Sequence, residues 1–312
     1  MSDGGKTTDG AIIATDRIGD GTARRLVSLI VVAAVLRPPP PPATKYAERK
    51  PGEPAVLGRS HVLTLYSFGP AANSLKPLLA LYEKGLEFTP RFVDPTRFEH
   101  HEDWFKAINP RGQVPALDHD GHIITESTVI CEYLEDAFPD APRLRPADPV
   151  KIAEMRVWTK WVDEYFCWCV STIGWERMIG PMARKLSDAD FEEQVKRIPV
   201  PEQQVKWRNA RAGFPPEVLA EEMRKVRVSV AKLEARLAES RWLAGDDYTL
   251  ADICNFAIAN GMQFGFAEVV NRDATPNLVA WIERINARPA AQTMFARSKS
   301  EMPSRAPVSA SA

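Results

Sequence analysis

The stretch LYSFGPAANSLKP, Leu65 to Pro77, is where chemistry is first expected. A short apolar strand runs through Gly69-Pro70 into a helix that opens at Asn73-Ser74. A helix N-terminus aims unsatisfied N–H groups and a partial positive charge at whatever lies in front of it, which suits an anion or a thiolate. Asn73 offers an amide NH₂ and Ser74 a hydroxyl, and both can donate to sulfur. No cysteine occupies the loop, so any sulfur held there is borrowed from a ligand. The plainer reading is that Asn73 or Ser74 only caps the helix. The four cysteines, Cys131, Cys167, Cys169 and Cys254, form neither a CxxC pair nor a zinc pattern. Cys167 and Cys169 fall on different helix faces. The two histidines of His119-x-x-His122 flank Asp120-Gly121, which a hairpin turn explains without a metal.

Positioning such a site requires a regular frame, and the chain supplies one from His61 onward. HVLTLY alternates as a strand does, and Asn73–Lys84 carries apolar residues at 75, 78, 79 and 82 before Gly85. Further strands are expected over Glu87–Val93, Gln113–Leu117 and His122–Thr125, with helices at Asp103–Ile108 and from Ser127. The order β-α-β-α-β-β-α describes a thioredoxin-like α/β domain over 59–138. Prolines 139, 142, 146 and 149 mark a linker over 139–149. Residues 150–297 read as all helix, with long amphipathic segments at Lys151–Ile173 and Pro215–Glu239. A capping box at Thr249-x-x-Asp252 opens another helix. Residues 182–213 break this pattern with charge and proline, as a lid or a solvated excursion. A polar tail occupies 298–312.

The first 58 residues differ from the rest. Arg24-Arg25, the run LVSLIVVAAVL and five prolines read as a disordered extension or as sequence ahead of a misplaced start; a secretory signal is the alternative. The apolar run is too short to cross a bilayer, which takes about 20 residues. Lys+Arg is 40 against Asp+Glu 41, so no net field recruits nucleic acid or an anionic membrane. Few cysteines in a long chain fit a reducing, cytoplasmic compartment.

A thioredoxin-like domain joined to an all-helical one resembles the glutathione transferases, as do Asn109-Pro110-x-Gly112-x-Val114-Pro115, Thr125-Glu126-Ser127 and Thr249-x-x-Asp252. Longer stretches in both domains, including VDPTRFEHHEDWFKAINPRGQVPAL and RVWTKWVDEYFCWCVSTIGW, are most similar to the glutathione-dependent β-aryl etherases of bacterial lignin catabolism, the branch acting on the S enantiomer. That resemblance implies glutathione as co-substrate, a homodimer, and thiolate displacement of a phenol from the carbon beside an α-ketone. It implies catalytic roles for Asn73 and Ser74. It places Val114 and the cis Pro115 against the cysteinyl part of glutathione, and Glu126 and Ser127 at its γ-glutamyl end. Gln113, Lys76 and Arg111 are candidates for the glycyl carboxylate, although Lys76 and Arg111 read equally well as solvated charges.

An aryl substrate needs an apolar pocket. Phe68, Tyr165, Trp168 and Cys169 are the expected lining. Trp158, Trp161, Tyr165, Trp168 and Thr172 recur at helical spacing, which core or a dimer seam explains more simply. Conjugation or dehalogenation of other electrophiles by the same thiolate is the alternative activity, and a non-catalytic binding module is the third reading.

Overall fold

The computed structural model describes residues 61–301, with side chains as far as Ser298. The expected extension over 1–58, and the tail beyond 301, lie outside the described residues.

Strand β1 (Leu63–Ser67) buries Leu63, Leu65 and Ser67 on one face, as its alternation requires. Helix α1 (Ala72–Glu83) crosses to β2 (Thr89–Phe92), which pairs parallel with β1. A short α2 (Asp103–Lys106) comes next. The hairpin of β3 (Ala116–His119) and β4 (His122–Thr125) then adds antiparallel to the other side of β1, giving the order β2-β1-β3-β4. Asp120 and Gly121 take φ of 52° and 87°, the left-handed pair that a two-residue hairpin needs. The His119 Nδ1 lies 2.6 Å from the Tyr133 hydroxyl, and its Nε2 lies 2.9 Å from His61 Nδ1 and 3.7 Å from the Asp120 carboxylate of that turn. Helix α3 (Ser127–Ala137) closes the domain.

The linker is pinned. Lys84 Nζ lies 2.7 Å from Glu135 Oε1 and donates to the Pro142 carbonyl, while the same Glu135 oxygen accepts from the Leu144 N–H. Both charged side chains are almost fully buried, so each depends on the other to offset its lost hydration.

Beyond the linker the expected Lys151–Ile173 helix extends from Pro149 to Ala183 as α4. Its α-helical segments (Pro149–Trp161, Cys167–Gly174, Gly180–Ala183) are joined by two π turns, Val162–Phe166 and Trp175–Ile179. Each π turn takes up extra residues and rotates the next segment about the helix axis. That divides the aromatic stripe, with Trp158 and Trp161 packed against the core and Trp168 outside it. The core face is Met155, Val162, Phe166, Cys169 and Ile173, whereas Trp158, Trp161 and Tyr165 are half-buried and Trp168 is 55% exposed.

Residues 182–213 are neither loose nor purely solvated. Helices α5 (Asp188–Lys196) and α6 (Pro201–Ala212) carry a small core of their own, Phe191, Val195, Ile198 and Trp207, which also takes in Phe98 of the first domain. The Trp207 and Phe98 rings lie 4.6 Å apart. The insertion is thus clasped to the thioredoxin-like domain. Helices α7 (Pro216–Glu239), α8 (Leu250–Ala259), α9 (Met262–Gly265), α10 (Pro276–Asn286) and α11 (Pro289–Glu301) complete the bundle, so the last helix continues past the expected tail boundary. The capping box at Thr249 and Asp252 is formed. Among the described residues no helix is long and apolar enough to cross a membrane.

Candidate active site

Sheet register brings three loops to one end of the first domain. Tyr66 pairs with Ala116, and Ala116 with Thr125. The segments just beyond those pairs, Phe68–Asn73, Gln113–Pro115 and Glu126–Ser127, therefore lie side by side.

Helix α1 arrives there with its end open. Its N-cap is Ala71, with no side-chain cap, and the N–H groups of Ala72 and Asn73 have no partner among the described residues. Neither Asn73 nor Ser74 caps the helix, which removes the plainer reading of both. They differ from each other. Ser74 is buried and its hydroxyl accepts from the Phe68 N–H at 3.1 Å, holding the loop in shape. Asn73 is half-buried, and its Oδ1 accepts from the Cys167 thiol at 3.8 Å, which leaves the NH₂ to donate.

The neighbouring loops suit a peptide-like ligand. Val114-Pro115 is cis, and the N–H and C=O of Val114 have no partner among the described residues. The Gln113 carbonyl is taken by Asn109 Nδ2 at 2.7 Å. Glu126 is exposed at φ 66°, an uncommon conformation for a side-chain-bearing residue, and turns the chain into α3, where Ser127 stands at the helix start. Together these loops offer an anion-favouring helix end, free backbone for an extended peptide, and a carboxylate and hydroxyl for an amino-acid head group.

A model of the glutathione S-transferase N-terminal domain matches residues 61–136, and one of the C-terminal domain matches 166–289. The chain belongs to the glutathione S-transferase family. It is 66% identical over 244 residues to the protein LigF of a Sphingobium strain, covering 77% of this chain and 95% of LigF. It is 29% identical to glutathione S-transferase 3 of maize over 75% of this chain and 93% of that one. The crystal structure of β-etherase LigF from the same Sphingobium strain superposes with a TM-score of 0.74, over 76% of this chain and 99% of that one. Poplar glutathione transferase F7 gives a TM-score of 0.59 at 26% identity, over 75% of this chain and 98% of that one.

Facing these three loops is the stretch of α4 after its first π turn. Cys167 meets Asn73 there, and Trp168 and Trp175 turn toward α6. Burial pushes the Cys167 thiol up, against the pull of Lys76 and Lys206. Lys206 Nζ donates to Ser171 Oγ at 2.8 Å and stands 5.3 Å from the Trp168 ring and 4.7 Å from the Trp175 ring. Burial brings the Lys206 ammonium down to about 8, and Cys167 pulls the other way. Phe68 packs near Phe92, ring centroids 5.8 Å apart, on the first-domain side.

Two expected site residues sit elsewhere. Lys76 is neither a solvated charge nor placed to reach the glycyl end: its side chain is fully buried at the domain interface and paired with Asp163 of α4. Cys169 is 1% exposed, with its thiol donating to the Phe166 carbonyl at 3.2 Å, so it lines no pocket. Tyr165 lies within the π turn and is half-buried. Arg111 is exposed, as the solvated reading has it. Sequence reasoning assigns no role in the site to Cys167, Ser171 or Lys206. The available sign for Lys206 is Trp207 beside it, a large apolar anchor in an otherwise polar helix.

Proposed function

We propose that this glutathione S-transferase cleaves the β-aryl ether bond of lignin-derived α-keto aryl ethers, acting on the S enantiomer. The 66% identity to the β-etherase LigF across both domains carries this reading. General conjugation or dehalogenation would use the same thiolate. The indoles of Trp168 and Trp175, on the same stretch of α4 as the Cys167 that meets Asn73, favour an aromatic partner.

Glutathione, when bound, supplies a thiol that attacks as thiolate; a free thiol has a pKa of about 8.5, so little is ionised at neutral pH. The open end of α1 and the Asn73 NH₂ favour the ionised form. Ser74 keeps that entrance rigid through Phe68. Val114 pairs with the peptide backbone of the ligand, Glu126 accepts from its ammonium, and Ser127 with the start of α3 holds its carboxylate. Gln113 is left to reach the glycyl end. Phe68 and Trp168 sandwich the aryl group beside the sulfur and hold the β carbon in line for displacement. The C–S bond forms as the C–O bond breaks, giving a glutathione thioether and a free phenol.

The reading includes a homodimer in a reducing cytoplasm, which sedimentation and subcellular fractionation check. The deciding experiment incubates enzyme and glutathione with a racemic α-keto β-guaiacyl ether. Guaiacol release that stops at half conversion, spares one enantiomer and needs glutathione is the expected result. No guaiacol from either enantiomer, in folded protein that binds glutathione, overturns it.

A further inference from the structure

We propose that Lys206 is a catalytic residue, an oxyanion donor on α6 that binds the departing phenolate oxygen and returns a proton to it. The inference deepens the etherase reading and rests on it for the substrate class. Four observations converge on this side chain.

The first is position. Lys206 stands over the same turn of α4 that carries Cys167, and the Cys167 thiol donates to Asn73 at the open end of α1. An electrophile attacked by a sulfur held at Asn73 expels its leaving group from the far side of the reacting carbon, and the proposal sets that side against α6. The second is the seat. The ammonium donates to Ser171 Oγ and lies against the faces of Trp168 and Trp175, so the aryl ring and its oxygen meet aromatic walls and a cation together.

The third is the missing counter-ion. Lys76, the other buried lysine near Cys167, is matched by Asp163, and Lys84 by Glu135. Lys206 has no carboxylate partner among the described residues. A half-buried cation without an anion is costly to maintain, and a ligand anion relieves that cost. The fourth is the clasp. Trp207, the next residue, is buried against Phe98 and fixes α6 to the first domain, so its neighbour is held rather than free.

The step balances. The sulfur lone pair makes the C–S bond, the C–O pair leaves on the phenolate oxygen, and the Lys206 ammonium transfers a proton to it. Phenol departs and the amine regains its proton from water. Transfer from an ammonium titrating near 8 to a phenolate whose acid titrates at about 10 is downhill. Cys167 is the titratable group felt by Lys206, and Ser171, Trp168 and Trp175, its other neighbours, do not titrate in that range.

Two measurements test this, one independent of the etherase activity. The first titrates 4-nitrophenol into glutathione-loaded enzyme at mildly acid pH and monitors the yellow phenolate. Wild type is expected to bind it ionised, Lys206→Met in its neutral form, and Lys206→Arg ionised again. Neutral 4-nitrophenol on the wild type, or phenolate binding unchanged in Lys206→Met, overturns the proposal even if the ether is never cleaved. The second compares ethers that release guaiacol with ethers that release 4-nitrophenol, a far better leaving group. Lys206→Met is expected to slow guaiacol release roughly a hundredfold and nitrophenol release only a few-fold, with Lys206→Arg restoring most of the difference. Equal slowing of both refutes the role. A wild type inactive on every ether refutes the etherase reading alone, and the phenolate titration then decides for Lys206. Retained glutathione binding and melting temperature identify variants that have merely unfolded.

Discussion

The thiol of Cys167 lies 3.8 Å from Oδ1 of Asn73, so a residue of the helical domain fixes the amide at the mouth of α1. With its oxygen engaged, Asn73 presents NH₂ to the site. Asn73→Ala removes that donor and is expected to raise the pKa of bound glutathione by about one unit and lower turnover roughly ten- to a hundredfold. Ser74→Ala loses the bond to the Phe68 N–H, worth about 1 kcal/mol, and shows mainly as lost stability. Titrating thiolate absorbance in both variants separates the roles. Equal effects on the thiol would contradict the assignment to Asn73.

Gly180 sets how closely α6 packs on α4. A Cβ there would lie 2.5 Å from the Ala210 carbonyl oxygen, backbone that cannot step aside without moving the helix. The Arg184 guanidinium donates to that same carbonyl at 3.2 Å and closes the contact. Gly180→Ala is expected to push α6 outward, raising KM for the aryl substrate several-fold while glutathione affinity holds. Trp207→Ala, which empties the clasp against Phe98, is expected to act in the same direction and to cost about 3 kcal/mol. Steady-state kinetics with each substrate varied separately tests both.

How far the sequence carried depends on whether the determining contact is local. The Asp120-Gly121 turn fixes the hairpin register, and register alone delivers Glu126-Ser127 beside Pro115. The side-by-side placement of the three loops is legible for that reason. Lys76 is not, because its position lies off the apolar face of α1 at 75, 78, 79 and 82, and only a second domain packed on the other side buries it. The aromatic stripe holds only in part: Trp158 and Trp161 pack against the core, but the π turn at Val162–Phe166 breaks the uniform pitch before the exposed Trp168, and nothing in residue type announces it. Lys206 depends on Phe98 from the other domain, a pairing no periodicity reveals.

Lys76 and Asp163 tie α1 to α4. The lysine is fully buried while the Asp163 side chain is 38% exposed, so water screens part of the attraction. Asp163→Asn strands the ammonium and is expected to cost about 2 kcal/mol. Lys76→Met, which removes the buried charge itself, is expected to cost less, and the double variant to recover most of the Asp163→Asn loss. Burial lowers the lysine pKa, but Cys254 and Asp163 outweigh it and the net shift is upward. That stabilisation is therefore complete below the unfolded value of about 10.4 and disappears only as pH rises through the higher folded value. Denaturant melts at neutral and strongly alkaline pH check the sign.

Asp252 behaves in the opposite sense to a surface carboxylate. It is wholly buried, and its oxygens accept from the Leu243 N–H at 3.0 Å, Trp281 Nε1 at 2.9 Å and the Thr249 N–H at 3.0 Å. Burial wins over those donors and lifts its pKa to about 6. Between the unfolded value near 3.9 and that folded value, the native state holds more protons than the unfolded chain. Stability from this group is thus greatest below about pH 4 and declines as pH rises through 6, by roughly 3 kcal/mol for a two-unit shift. Asp252→Ala abolishes the pH dependence but leaves three buried donors unpaired, at a cost of about 1–3 kcal/mol each. Asp252→Asn turns an NH₂ toward groups that are all donors and is expected to fall between. The check is the difference in unfolding free energy between wild type and Asp252→Ala across this range. That gap is expected to narrow as pH rises from 4 to 7, and a gap that widens would place the ionised carboxylate, not the protonated one, as the form the fold prefers.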